Sequence, residues 1–404
     1  MPRTAPTAPP AAPAAAKTHS AARTPSAART PSAASTPAAS TRSRLDSLTA
    51  IRALAAFAVF AHHAHSALIA NPGLGHLTRQ GSSGVAFFFV LSGFVLTWSS
   101  RPDDTARSFY RRRIARILPL YLLAWWGGVA LNLVTGESPL VRQLPALFGL
   151  QAWAPSDRVH FAGNAVLWSL SCEAFFYLVF PLIIGRLRAL SSRAAGGLLA
   201  AVLAAGIGWP VLLHPRYGSG LRYWLMYLFP PTRLLEFVAG ILLALLVSRG
   251  ALARIPLLPV ALFAAGMYLL AGWAPMYLQP VALMLLPWAL VIVAAAQHDL
   301  AGGSPAPRWL VRLGVWSYAF YLFHQLILKD FAFVYRPGST VMQLVCSLVL
   351  LLVAIALAGL LAERVEAPLE RRLRGRTGGS TVERLEPRPD RAERPELALA
   401  GVRS

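Results

Sequence analysis

Acidic residues, lysine and cysteine are the scarce groups in this chain. Asp and Glu total 17 against 38 Lys and Arg in 404 residues, and charged residues of both signs make up only 14%. A soluble globular protein carries about 25%, so an ordinary water-soluble domain is excluded. The two cysteines, Cys172 and Cys346, both fall inside apolar stretches, which excludes a disulfide framework or a thiolate metal site. Lysine occurs only at Lys17 and Lys329, so arginine carries almost all of the formal charge of +21. The arginines stand in short clusters between apolar runs, where they act as topology signals facing a negatively charged leaflet. Nucleic acid is therefore not expected as a partner.

What the chain does have is hydrophobic length. With 56% hydrophobic residues and a mean hydropathy of +0.52, it is read as an all-α, polytopic membrane protein embedded in a lipid bilayer. Residues 1–44 are Ala, Pro, Ser and Thr with scattered Arg and no acid. Such a segment buries too little apolar surface to offset its ordering entropy, so it is expected to be a disordered, basic cytosolic tail. Residues 375–404 are assigned to a second disordered cytosolic tail, leaving 45–374 as the membrane domain. Ten apolar runs of membrane-spanning length are read there, near 48–70, 84–100, 115–134, 165–185, 195–213, 229–248, 256–272, 278–297, 311–329 and 341–362. The clusters Arg101–Arg116, Arg186–Arg193, Arg249–Arg254, Arg308–Arg312 and the tail after Arg364 then share the side of the basic N-terminus. Positive-inside topology requires that arrangement, and it places both termini in the cytosol of a cell (inner or plasma) membrane protein. The stretch 144–154 is too short to cross, and 221–231 can lengthen the sixth span.

The first span, LTAIRALAAFAVFAHHAHSAL, holds an arginine and three histidines in an otherwise apolar helix. Arg52 and His63 are eleven residues apart; at about 100° per residue they share one face to within roughly 20° and stand about 16 Å apart along the axis. His62 and His65 point elsewhere. Arg52 can simply snorkel to the headgroups with His63 as a hydrogen-bonded packing residue; the alternative is a functional wall. In the second span, Gly84, Ser92 and Gly93 among bulky aromatics read as a close helix contact. Arg113 and Arg116, one helical turn apart before Pro119, are either a plain cytosolic anchor or a fork for phosphates arriving from the cytosol.

Glu173 lies in the fourth span at a depth similar to that of His63, so the two can meet, with Tyr177 one turn below and Trp168 and Ser171 just above. A carboxylate at that depth needs a partner, and a purely structural Glu–Arg or Glu–His pair would also supply one. Arg233 and Glu236 can pair within the sixth span, and Tyr318, Tyr321 and His324 can face a shared polar interior from the ninth. The mixed-charge run ERVEAPLERRLRGR is expected on the cytosolic headgroups.

These segments together resemble the acyltransferase 3 family, bacterial integral-membrane O-acyltransferases that modify sugars of surface glycans and of macrolide-type antibiotics. The resemblance runs from about Leu45 to Arg374. It is carried by Arg52-x10-His63, FFFVLSGF at 87–94, RRIARILP at 112–119, LWSLSCEAFFYLVFP at 167–181, TRLLEFVAGILLA at 232–244, LGVWSYAFYLFH at 313–324 and VEAP at 365–368. Each motif is short, but their order and spacing are specific. The resemblance implies functional roles for Arg52, His63, Arg113, Arg116 and Glu173. Two departures stand out: Ala86 and Ala174 occupy positions where the family often has an acid.

The chemistry such a reaction needs matches the residues. Moving an acyl group from a thioester to a sugar hydroxyl takes a base, and His63 suits the task, with Glu173 available to orient it. Arg52, Arg113 and Arg116 can hold the phosphates of an acyl-CoA donor. Ser171, Tyr177, Arg233, Glu236, Tyr318 and His324 complete the candidate substrate- and donor-binding set. The partners expected are acyl-CoA and a carbohydrate or macrolide-type acceptor; no tightly bound cofactor and no metal is called for. The competing function is a multispanning transporter or flippase using the buried His, Glu and Arg groups as a substrate path.

Overall fold

A computed structural model of the chain describes residues 45–101, 104–213, 219–275, 278, 281–303 and 305–374. Both tails expected to be disordered, 1–44 and 375–404, lie outside the described residues. Ten helices of 15 residues or more follow one another: α1 Asp46–Ala67, α2 Gly84–Ser99, α3 Ala106–Thr135, α4 Trp168–Ala189, α5 Ser192–Leu213, α6 Pro230–Ser248, α7 Leu257–Ala271, α8 Leu285–Leu300, α9 Arg308–Val334 and α10 Thr340–Leu361. No strand occurs among the described residues. An all-helical fold follows from lipid as solvent, because a helix satisfies its backbone donors and acceptors within itself.

Each apolar run read from the sequence contains one of these helices, but among the described residues seven segments are both long and apolar enough to cross a membrane. The seven contain α1 to α6 and α10. At about 1.5 Å per residue, α7 and α8 reach roughly 22–24 Å, short of a hydrocarbon core of about 30 Å. The 27-residue α9 has the length, but Arg308, Arg312, His324, Gln325, Lys329 and Asp330 dilute its apolar character. A count of ten spans is thus not what the helices themselves give. The stretch at 144–154 forms only the eight-residue helix Leu140–Leu147 and a following turn, while residues from 220 onward do lengthen the sixth segment.

Glycines bring the central helices into backbone contact. A Cβ placed on Gly93 of α2 would lie 2.0 Å from the Phe237 carbonyl oxygen, and one on Gly240 of α6 would lie 1.9 Å from that of Val90. The α2–α6 crossing therefore admits no side chain on either partner at that point. The same holds where Gly314 of α9 meets the Thr49 carbonyl of α1, 1.7 Å from a hypothetical Cβ. Above it, Phe57 and Phe320 meet edge to face with centroids 5.5 Å apart. Asp299, from the end of α8, fixes the start of α1 by accepting from the Ser47 backbone N–H at 2.9 Å and from its Oγ at 2.5 Å. That carboxylate takes the place of a local cap and satisfies a backbone donor otherwise left open in the first turn.

Candidate active site

Because α1 is unbroken from Asp46 to Ala67, the eleven-residue spacing does put Arg52 and His63 on one wall. His62 turns instead toward the Arg79–Ser83 turn, where a Cβ on Gly81 would come within 2.9 Å of its own Cβ. His65 turns toward the helix Pro72–Thr78, with Nε2 3.4 Å from a Cβ on Gly75. Of the three histidines, His63 is the one hydrogen-bonded to α9 among the described residues, with Nδ1 2.8 Å from His324 Nε2.

His324 is fully buried while His63 is half-buried. The Phe320 ring lies parallel to that of His324 at 5.6 Å, with Phe60 at 6.2 Å and Tyr321 at 5.8 Å. Tyr321 is itself held by Ser169 of α4, oxygen to oxygen at 2.7 Å, and Asn164 donates to the Leu322 carbonyl at 2.9 Å. These bonds tie the middle of α9 to the segment that opens α4.

A second polar cluster lies further toward the arginine end of the α1 wall. Glu173 accepts from Ser92 Oγ at 3.2 Å, with the Tyr177 hydroxyl beside it and the charges of Arg113 and Arg52 acting on it. Arg52, Arg113, Glu173, Tyr177 and Tyr318 are all half-buried. Neither Arg52 nor Arg113 has a hydrogen-bond or ion-pair partner among the described residues, and their Nε atoms are buried unpaired. Arg113 also lies over the Phe109 ring at 5.9 Å. Two guanidiniums with free donors beside one carboxylate leave room for an anionic ligand.

The structure does not bring Glu173 to His63: among the described residues no hydrogen bond joins them, and His324 stands where the carboxylate was expected. Similar depth in two helices does not set their rotation, which here turns Glu173 toward the arginines. Arg116, read with Arg113 as a phosphate fork, is instead buried against Glu366, with Glu370 Oε2 3.4 Å from Nη1 and the Tyr318 ring 5.7 Å away. The run expected on the headgroups thus folds two carboxylates inward. A widened π turn over Ala362–Glu366, followed by the helix Ala367–Arg374, aims both at Arg116, and a buried cation at that point repays the bend. Glu366 and Glu370, four residues apart, were legible as one helix face, but not as facing Arg116.

The remaining expected residues are bound internally. Arg233 Nη2 and Glu236 Oε2 pair at 3.0 Å, both almost wholly buried, with the guanidinium between the Phe89 and Tyr227 rings at 5.0 Å from each. Ser171 donates to the Gly149 carbonyl at 2.6 Å, and Tyr318 to that of Ile117 at 2.9 Å. Ser92 reads from the sequence only as a small residue at a close helix contact, and Ser169 and Asn164 give no signal at all, because a hydroxyl or amide inside an apolar run has no periodicity of its own. Among the described residues no three His, Cys, Asp or Glu side chains come together to hold a metal ion.

A helical membrane domain with an imidazole pair at one height and open guanidiniums at another is a class many enzymes could share. Comparison with known proteins narrows it: the model of the acyltransferase 3 domain matches residues 45–362, and the chain belongs to that family of acyltransferases. It is 36% identical to acyltransferase MdmB of Streptomyces mycarofaciens over 349 residues, covering 80% of this chain and 89% of that one. It is 31% identical to exopolysaccharide production protein ExoZ of Rhizobium meliloti (strain 1021) over 62% of this chain and 77% of that protein. It is 25% identical to O-acetyltransferase OatA of Staphylococcus aureus (strain NCTC 8325 / PS 47), over 63% of this chain and 47% of OatA. No solved structure matches it.

Proposed function

We propose that this membrane acyltransferase moves a short acyl group, such as acetyl, from acyl-CoA to a hydroxyl of a carbohydrate, a surface glycan or the sugar of a macrolide-type metabolite. The observation that carries the reading is the single wall of α1, with the unpartnered guanidinium of Arg52 at one end and His63 about 16 Å further along. Acyl-CoA has that layout, since its pantetheine arm separates phosphates from thioester. Arg52 and Arg113 take the phosphates from the arginine-rich side, read as cytosolic with both termini, in a cell membrane. His63 then lies where the thioester carbonyl and acceptor hydroxyl meet.

His63 Nε2 takes the hydroxyl proton as the acceptor oxygen bonds to the thioester carbonyl carbon. The carbon–sulfur bond breaks, the thiolate leaves, and the imidazolium returns the proton to it, giving ester and free thiol. Arg116, neutralised by Glu366 and Glu370, holds the mouth together rather than the donor. Glu173 keeps the two open guanidiniums in register. The test is purified full-length protein in lipid with labelled acetyl-CoA and a panel of glycan and macrolide acceptors, read by mass shift. Covalent label on an acceptor supports the reading; solute movement without covalent change would replace it with transport.

A further inference from the structure

A carbonyl oxygen carries no proton, so the nitrogen bonded to it must. His324 Nδ1 lies 2.8 Å from the Tyr321 carbonyl and 3.2 Å from that of Phe320, and is therefore the protonated nitrogen of that ring. In the neutral ring Nε2 is then a bare lone pair. It faces His63 Nδ1 at 2.8 Å, and two ring nitrogens can bond only when one of them holds the proton. His63 accordingly carries its proton on Nδ1, and its Nε2 is bare.

The geometry assigns His324 as the positioning residue of the site: it fixes the tautomer and ring plane of His63 so that Nε2 is presented as the proton acceptor. This rests on His63 being the base. The role is one a carboxylate fills in hydrolytic triads, but among the described residues no carboxylate bonds either imidazole, and the support passes through a neutral ring to two backbone carbonyls. Ring stacking by Phe320, the flank of Phe60 and the Tyr321–Ser169 bond prevent His324 from turning its acceptor away. The His324 backbone position is fixed too, by the amide of Asn164 on the neighbouring carbonyl of Leu322.

The experiment uses the full chain in lipid with ¹⁵N-labelled histidine, the His63 signals being those lost in His63→Gln. Wild-type His63 is expected as the Nδ1–H tautomer. His324→Gln, whose amide oxygen can stand where Nε2 stood, should keep kcat within about tenfold, whereas His324→Leu should lose about 10²-fold in kcat with both KM values unchanged. In the leucine variant His63 should become a tautomer mixture. A wild-type His63 protonated on Nε2, a fully active leucine variant, or leucine and glutamine variants equally inactive with normal donor binding would each overturn the assignment. A fully active His63→Ala would overturn the base itself, and with it any catalytic use of His324; an inactive His63→Ala with the wrong tautomer would overturn His324 alone.

Discussion

Arg113 and Arg116 are one turn apart on α3, yet their surroundings demand opposite responses to alanine. Arg116 is buried against Glu366 and Glu370, which are themselves 1% and 0% exposed. Removing its guanidinium takes this buried cation away from Glu366 and Glu370, and breaking a buried ion pair in this way costs about 3–5 kcal/mol. Arg113 has no ion-pair partner among the described residues, so its loss should change stability by under about 1 kcal/mol. If it binds a donor phosphate, the charged hydrogen bond lost is worth about 1.5–3 kcal/mol, or roughly 10- to 150-fold in donor KM. Thermal unfolding of the purified variants and donor titration at saturating acceptor separate the two effects. Arg116→Ala should unfold at a clearly lower temperature; Arg113→Ala should unfold as wild type but need more donor, at nearly unchanged kcat. Adding Glu366→Gln and Glu370→Gln to Arg116→Ala should return part of the stability, because the buried negative charges that paired with Arg116 are gone. A stable Arg116→Ala variant with the same rise in donor KM as Arg113→Ala would refute the division.

His63→Ala should lower turnover by about 10²-fold or more, the range for loss of a general base, while His62→Ala and His65→Ala, turned to other neighbours, keep most activity; equal losses at His62 and His63 with normal membrane insertion would count against the single wall. Glu173→Gln should raise the donor KM by about tenfold, roughly 1.4 kcal/mol, by loosening Arg52 and Arg113; a collapse of kcat at unchanged KM would return Glu173 to the imidazole. Gly240→Ala should cost at least about 1–3 kcal/mol by driving a methyl into the Val90 carbonyl. Gly185→Ala, in open space on α4, should be neutral or slightly stabilising, and equal unfolding temperatures for the two would show that the α2–α6 contact yields.

The helices were legible because an apolar run of that length has few other conformations in lipid. At α7 and α8 the helices are 15 and 16 residues long, shorter than a full crossing needs, so spanning length at those two runs is not given by the helices themselves. The Arg52–His63 wall was legible for a local reason: one continuous helix fixes relative azimuth by spacing alone. Partners across helices were not. Glu173 with Ser92, His63 with His324, and Arg116 with Glu366 depend on helix rotation, which is set by where glycines permit close approach and by the inward bend after α10. The Arg233–Glu236 pair was readable because both residues sit on one helix, three apart.

The α1–α9 seam has a consequence for the medium in which the enzyme works. Gly314 seats against Thr49 near one end, Phe57 meets Phe320 further along, and the two imidazoles join beyond them. A slide of α1 along α9 by one residue is about 1.5 Å, enough to take a 2.8 Å contact out of bonding range. Hydrophobic mismatch imposes tilt and displacement of that kind on helices of unequal length, and α9 is longer than α1 by five residues. Bilayer thickness thereby becomes a variable of the reaction: lipids that match the two helices poorly should slow turnover with no change in how the chain is folded or inserted.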